Sequence, residues 1–291
     1  MADFLYCSDP LRPGRVDPVF SEEAWSAASA GAGVALLDHD ALAAGDAEGA
    51  LRRVPRGSGP YWYRGWMMPP GTYAALGGGL AERGCRLLTD AAAYRRAHEL
   101  PGWYEAFEGL TPRSVWRPCA PGAPPDRRDL VALVSPLGPG AAVVKDYVKS
   151  RKHEWTEACY VSSLADATSL SRVVARMFAL QDEALTGGLV VRCHEPFTPG
   201  GEARVWWVDG DPVLTTAHPD TPDDLPAPEL DAVAAAVRGL ACRFVTTDLA
   251  LRRDGRWRVV EVGDGQVSGL PPSADASALF AALAAGPAGP H

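Results

Sequence analysis

Apolar and polar positions alternate along this chain in two regimes. Through the first third, short apolar runs lie between helical stretches. Phe4–Tyr6, Val34–Leu37, Tyr61–Trp66 and Arg86–Leu88 read as strands. Residues 20–30, 72–83 and 90–109 read as helices, the second broken at Gly77-Gly78-Gly79 and the third at Pro101. This βα alternation predicts a small parallel sheet. A Pro-rich stretch, PCAPGAPPDRR at 118–128, reads as an exposed loop or linker. Beyond it strands dominate: 130–134, 142–148, 189–193, 203–208, 212–216, 243–250 and 256–262. Leu170, Val173, Val174, Met177 and Leu180 recur at helical spacing, so 165–185 reads as an amphipathic helix ended by Gly187-Gly188. Helices are also expected at 227–241 and 274–284.

Two Asp-Gly pairs, Asp209-Gly210 and Asp254-Gly255, read as two-residue hairpin turns. The second sets a register in which Asp248 faces Glu261. Two facing carboxylates repel and need a cation between them, a shared proton, or solvent at the sheet end; a divalent cation with oxygen ligands, Mg²⁺ or Mn²⁺, is the most economical answer. Asp264 and Gln266 supply further oxygens in the turn that follows. The first hairpin aligns Glu202 and Arg204 on one strand face, a surface pair or a ribose- and phosphate-binding pair. His194 reads as structural.

Composition narrows the choice. The chain has 291 residues and a net charge of −8, which disfavours a general nucleic-acid binder. No apolar run approaches the roughly 20 residues of a membrane helix. The N-terminal residues show no signal core, and a cytoplasmic location is expected. Six cysteines without a C-x-x-C spacing point to reduced thiols rather than a zinc site. Ile and Asn are absent and Arg is abundant, yet all three lysines, Lys145, Lys149 and Lys152, fall in one window. A compact ammonium offered to phosphate is one account of their survival, and a solvated basic face kept by chance is the other. Phosphate-loop, dinucleotide, nucleophile-elbow and H-E-x-x-H motifs are all missing.

The order of these features resembles the ATP-grasp superfamily, in the clade named for two arginines and a lysine. The segments that carry the resemblance are AVVKDYVKSRKHEW (142–155), VVRCHEPF (190–197), GEARVWWVDG (201–210) and VVEVGDGQVSGLP (259–271), with YRGWMM (63–68) upstream. It implies an α+β, α/β fold: a pre-ATP-grasp domain over 1–120, a lid-bearing subdomain over 121–188, a C-terminal subdomain over 189–285 and a disordered tail at 286–291. It implies that ATP is held between two α+β subdomains and that a carboxylate is joined to an amine through an acyl phosphate, releasing ADP and phosphate. Lys145 matches the lysine that meets the phosphates, and Lys149 and Ser150 fall in the covering loop. Arg192 and Glu195 match the segment that meets adenine and its neighbours. Glu202 matches the ribose acid, Arg204 the arginine serving the transferred phosphoryl group, and Asp248 and Glu261 the Mg²⁺ acids.

Gly263 stands where many members have Asn, so Asp264 or Gln266 is the candidate third metal ligand. No lysine precedes Lys145, so the second phosphate-binding lysine that the resemblance implies has no match, and an arginine such as Arg113 or Arg117 is a candidate in its place. The covering loop is basic rather than glycine-rich. The strand Tyr61–Trp66 is the candidate acceptor pocket, with Arg64 holding a carboxylate and Gln266 a second candidate substrate residue. The expected partners are small-molecule or peptide carboxylates and amines, with no nucleic acid and no membrane. The rival readings are a kinase or nucleic-acid-end ligase on the same scaffold, and a non-catalytic nucleotide-binding module. The residues choose neither the substrates nor the oligomeric state.

Overall fold

The computed structural model describes residues 1–218, 227–271 and 274–285. Its strands, in chain order, are β1 (Asp3–Cys7), β2 (Val34–Leu37), β3 (Tyr61–Arg64), β4 (Ser114–Pro118), β5 (Ala142–Lys145), β6 (Tyr160–Val161), β7 (Gly188–Cys193), β8 (Ala203–Val208), β9 (Asp211–Ala217), β10 (Phe244–Leu251) and β11 (Trp257–Asp264). The chain packs as two units, residues 1–97 with 200–249 and 261–291, and residues 98–199 with 250–260. The tail expected at 286–291 lies outside the described residues. Among the described residues no helix is long and apolar enough to cross a membrane.

In the first unit β2, β1 and β3 form a parallel sheet in that order, as the βα alternation predicts. A second sheet, ordered β11-β10-β8-β9, is antiparallel along β10-β8-β9. One apolar core joins the two, with Phe4, Tyr6, Trp62, Trp206, Phe244 and Phe280 all buried in it. Trp62 is large enough to reach across, and its indole N–H donates to the Leu283 carbonyl at 3.0 Å. Helix 70–82 is continuous through Gly77, Gly78 and Gly79. A Cβ at Gly79 would lie 2.8 Å from Leu51 Cδ1, so the missing side chain there permits close packing instead of marking a break.

The second unit holds the sheet β4-β7-β5-β6. Residues 130–134, expected as a strand, belong to a helix over Arg127–Val134. Asp126 caps it by accepting from the Asp129 N–H at 2.8 Å, and Leu130 and Val134, four apart, are its buried face. Helix 167–181 ends at Gln181 because Asp182 takes φ +44°, before the Gly187-Gly188 pair. Strand β5 stops at Lys145 rather than continuing to 148. Asp146, buried, accepts the Val148 N–H at 2.6 Å and turns the chain back so that Lys145 bridges Ser150.

The two Asp-Gly turns differ. Asp209 and Gly210 both have positive φ and close a two-residue turn, with Val208 opposite Asp211. At the second, only Gly255 is left-handed. Its N–H reaches the Arg252 carbonyl, and the Arg252 N–H reaches the Arg256 carbonyl, so three residues form the loop instead of two. Further along, the Gly265 N–H donates to the Phe244 carbonyl. From 244 to 252 is eight steps and from 256 to 265 is nine, so the second arm is one residue longer between these two bonds. That extra residue offsets the longer turn at the far end of the hairpin.

Candidate functional site

The charged centre of the first unit lies on the face that Trp206 and Val208 continue into the core. Arg204 on β8 sits directly opposite Asp248 on β10. Its Nε and Nη2 donate to the two Asp248 oxygens at 2.7 and 2.8 Å, and Nη1 donates to the Gly269 carbonyl at 3.2 Å. His218 Nε2 stands 3.5 Å from Asp248 Oδ2. Ligand atoms of Glu202, His218 and Asp248 lie within 4.8 Å of one another. Burial works against the Asp248 charge, but the bonds from Arg204 and His218 outweigh it and lower its pKa. Burial also disfavours charged His218, and the Asp248 bond and charge reverse that and raise it. Burial likewise opposes the Arg204 charge, and Asp248, Glu261 and Glu202 together overcome it. Glu261 is exposed and still acts on this guanidinium. The repulsion expected between facing acids is therefore absent here, because Arg204 and His218 neutralise Asp248.

Asp264, Gln266 and Arg64 lie apart from that cluster of ligand atoms. Asp264 is fully buried, and its Oδ1 accepts from the Gln266 backbone N–H and side-chain Nε2 at 2.9 and 3.0 Å. Burial pushes its carboxyl up to about 7, against those two bonds. Gln266 Oε1 accepts the Tyr63 N–H at 3.0 Å, and its Nε2 donates to the Tyr73 hydroxyl at 2.9 Å. The pair therefore ties the segment after β11 to β3. Arg64, expected to hold a substrate carboxylate, is completely buried and holds Glu23 through Nε and Nη2 at 2.8 and 2.7 Å. Its Nη1 serves the Gly265 and Ser268 carbonyls, and the guanidinium lies over the Trp206 ring. An internal carboxylate has taken the place expected for substrate.

In the second unit Lys145 ends β5, largely buried, with Nζ donating to the Val148 carbonyl at 2.9 Å. Asp146 also accepts from Gln181 Nε2 at 2.8 Å, so the turn carrying exposed Lys149 and half-buried Ser150 is anchored to helix 167–181. Arg192, expected to meet adenine, is buried on β7 and donates to the Val260 and Val259 carbonyls at 2.6 and 3.1 Å and to Thr111 Oγ1. Glu195 accepts a two-pronged pair from Arg258 at 2.8 and 2.9 Å. Both side chains fasten their strand and loop internally. Of the two suggested phosphate cations, Arg113 donates to the Pro136 and Leu137 carbonyls and Arg117 pairs with Asp129. His194 makes edge contacts with Trp155 and Tyr160.

Three participants escape a reading of the sequence. His218 lies at the end of β9, sixteen residues from Glu202, and reaches Asp248 only because β8 pairs with both β9 and β10. Asp146 directly follows the lysine, where an acid reads as a surface residue. His98 is buried, and burial first, then the charges of Lys149 and Lys145, pull its pKa down to about 4. A Lys-Asp pair at the end of an apolar strand is the one signal that identifies the Asp146 turn.

A family model matches residues 136–283; it describes the ATP-grasp domain, family 3 of the clade named for two arginines and a lysine, and the chain belongs to that family. Solved structures share the fold over nearly the whole chain. D-cycloserine synthetase DcsG is 17% identical with a TM-score of 0.58, covering 97% of this chain and 98% of its own. A RimK domain ATP-grasp protein from Sphaerobacter thermophilus DSM 20745 is 17% identical with a TM-score of 0.63, covering 98% of each. The macrocyclase MdnC from Microcystis aeruginosa MRC, bound with precursor peptide MdnA, is 15% identical with a TM-score of 0.56, covering 97% of this chain and 99% of its own. Identities this low establish the ATP-grasp fold. Comparison with curated proteins finds no match.

Proposed function

We propose that this protein is an ATP-dependent ligase that joins a carboxylate to an amine through an acyl phosphate, releasing ADP and phosphate. The observation that carries this reading is the Arg204–Asp248 pair with Glu202 and His218 around it, in a chain of this ATP-grasp family. Three of the solved neighbours are named as a synthetase, a ligase and a macrocyclase, and the ligase PsnB has been seen with AMPPNP and with Mg and ADP.

In this reading Lys145 and Lys149 give the phosphates compact charge, and Ser150 offers a hydroxyl to the same anions. Glu202 accepts from the ribose hydroxyls. Arg204 stabilises charge that develops as the carboxylate oxygen attacks the γ-phosphorus and ADP leaves. The amine nitrogen then attacks the acyl carbon, phosphate departs, and the amine proton passes to solvent. Arg192 and Glu195 act indirectly, by holding their segment.

The donor set suits Mg²⁺. Asp248 Oδ1 keeps a lone pair beyond the one given to Arg204, and Glu261 adds hard oxygens. Asp248 favours the charged form of His218, which is a poor ligand. Asp264, enclosed and bonded to Gln266, is left out of the set. Bound there, the ion would offset negative charge on phosphate oxygens.

Titration calorimetry with Mg-ATP tests the assignment of Lys145. Lys145→Ala is expected to weaken binding about tenfold or more and to abolish ADP release, while Lys149→Ala acts more mildly because its charge is solvent-screened. Unchanged ATP affinity in the Lys145 variant would sink the assignment.

A further inference from the structure

The first unit has a cavity of about 830 Å³, the size of a small-molecule site. One wall is helix 21–29 with the turn before it, and the other is formed by Leu270, Pro271 and residues 274–277. Val19, Trp25, Leu270 and Pro271 make it apolar, and Trp25 is 72% exposed, an aromatic surface that the core leaves open. Among the described lining residues the charged side chains are all negative. Glu22 and Asp275 are exposed on the two walls, and Glu23 is committed to Arg64. No Lys, Arg or His is among the described lining residues.

The backbone of the cavity wall is tied to the charged centre. Arg204 Nη1 holds the Gly269 carbonyl at 3.2 Å, and the next two residues are cavity wall. Arg64 holds the Ser268 carbonyl at 3.0 Å from the other side, while gripping Glu23 of the helix wall. The wall is therefore fixed relative to Arg204 by two guanidinium groups.

We propose that this cavity binds the amine substrate, and that the substrate is a primary amine on an apolar body with no free carboxylate beside it. The reason is charge complementarity. An ammonium finds Glu22 and Asp275, and an apolar body finds Trp25 with its neighbouring aliphatic surface. An α-carboxylate would meet acidic walls with no cation to pair it, and a charge taken from water without a partner is costly. Free amino acids are thereby rejected, and a simple amine or the N-terminal residue of a peptide is accepted. The substrate role rests on the ligase reading; the binding preference does not.

Calorimetry on the full chain, without nucleotide, tests the preference using phenethylamine, phenylalaninamide, phenylalanine and 3-phenylpropionate. Phenethylamine, phenylalaninamide or both are expected to bind, with phenylalanine at least about tenfold weaker and 3-phenylpropionate without measurable affinity. Binding of phenylalaninamide alone assigns the site to peptide N-termini, and comparable binding of both amines to amines generally. Trp25→Ala, an exposed substitution, is expected to weaken amine binding about fivefold, and Glu22→Gln with Asp275→Asn about tenfold. Failure of both amines to bind, equal binding of phenylalanine, or unchanged affinity in the variants would overturn the proposal. Mg-ATP affinity of the same proteins, measured separately, reports on the ligase reading, so the two can fail independently.

Discussion

Asp248 is nearly inaccessible to solvent, and its two oxygens are shared between a guanidinium and an imidazole. A buried pair that loses one partner strands the other charge, at a cost of about 3–5 kcal/mol. Asp248→Ala is therefore expected to destabilise the protein by roughly that amount in urea unfolding, instead of relieving a repulsion. Arg204→Lys keeps the charge and loses the fork, so it is expected to lower kcat about tenfold or more with a smaller change in the KM for ATP. A variant with normal kcat would reduce Arg204 to a structural partner of Asp248.

The same cluster sets a pH dependence. His218 is raised above its ordinary 6.5 in the folded protein by Asp248, against burial. Its contribution is then complete below pH 6.5 and fades as pH rises through the folded value. The stability difference between the native protein and His218→Asn is expected to be largest on the acid side and to shrink toward alkaline pH. A difference that grows with pH would contradict the pairing.

At the scale of elements, Asp264 and Gln266 act as a clasp between β11 and β3. The folded protein holds the Asp264 proton up to about pH 7, while the unfolded chain releases it near 3.8. Stability is thus reduced as pH rises from the lower value to the higher. Asp264→Asn, which has no proton to lose, is expected to flatten that part of the unfolding profile. An unchanged slope would mean that the carboxyl is ionised in the fold.

Much of the element pattern was legible because short strands and amphipathic helices write their periods into the sequence. Strand β1, strand β2 and the Asp209-Gly210 hairpin follow directly from it. Residues 130–134 were not legible as helix, since five apolar-rich residues suit either period and only the Asp126 cap decides. The Asp254-Gly255 register failed locally for a similar reason. The same dipeptide closes a two-residue or a three-residue loop depending on which residues take positive φ.

Across the whole molecule, the site was legible as a list of residue types in order, and less so as a set of roles. Lys145, Arg204, Glu202 and Asp248 could be singled out because each departs from its setting: a lysine in an arginine-rich chain, or a charge on an apolar strand. Arg64, Arg192 and Glu195 depart in the same way, yet each is bound inside its own unit, to Glu23, to backbone carbonyls and to Arg258. Sequence shows that a charge is present and leaves its partner unseen. His218 was invisible because its partner Asp248 is brought to it by two strand pairings.

The most direct measurement of the central claim supplies Mg-ATP and a panel of carboxylates with hydroxylamine in place of the amine, and follows the products. A ligase working through an acyl phosphate yields ADP and a hydroxamate in equal amounts, both lost in Arg204→Ala and Lys145→Ala. AMP in place of ADP, or ADP formed from every carboxylate tested with no hydroxamate, would contradict the account.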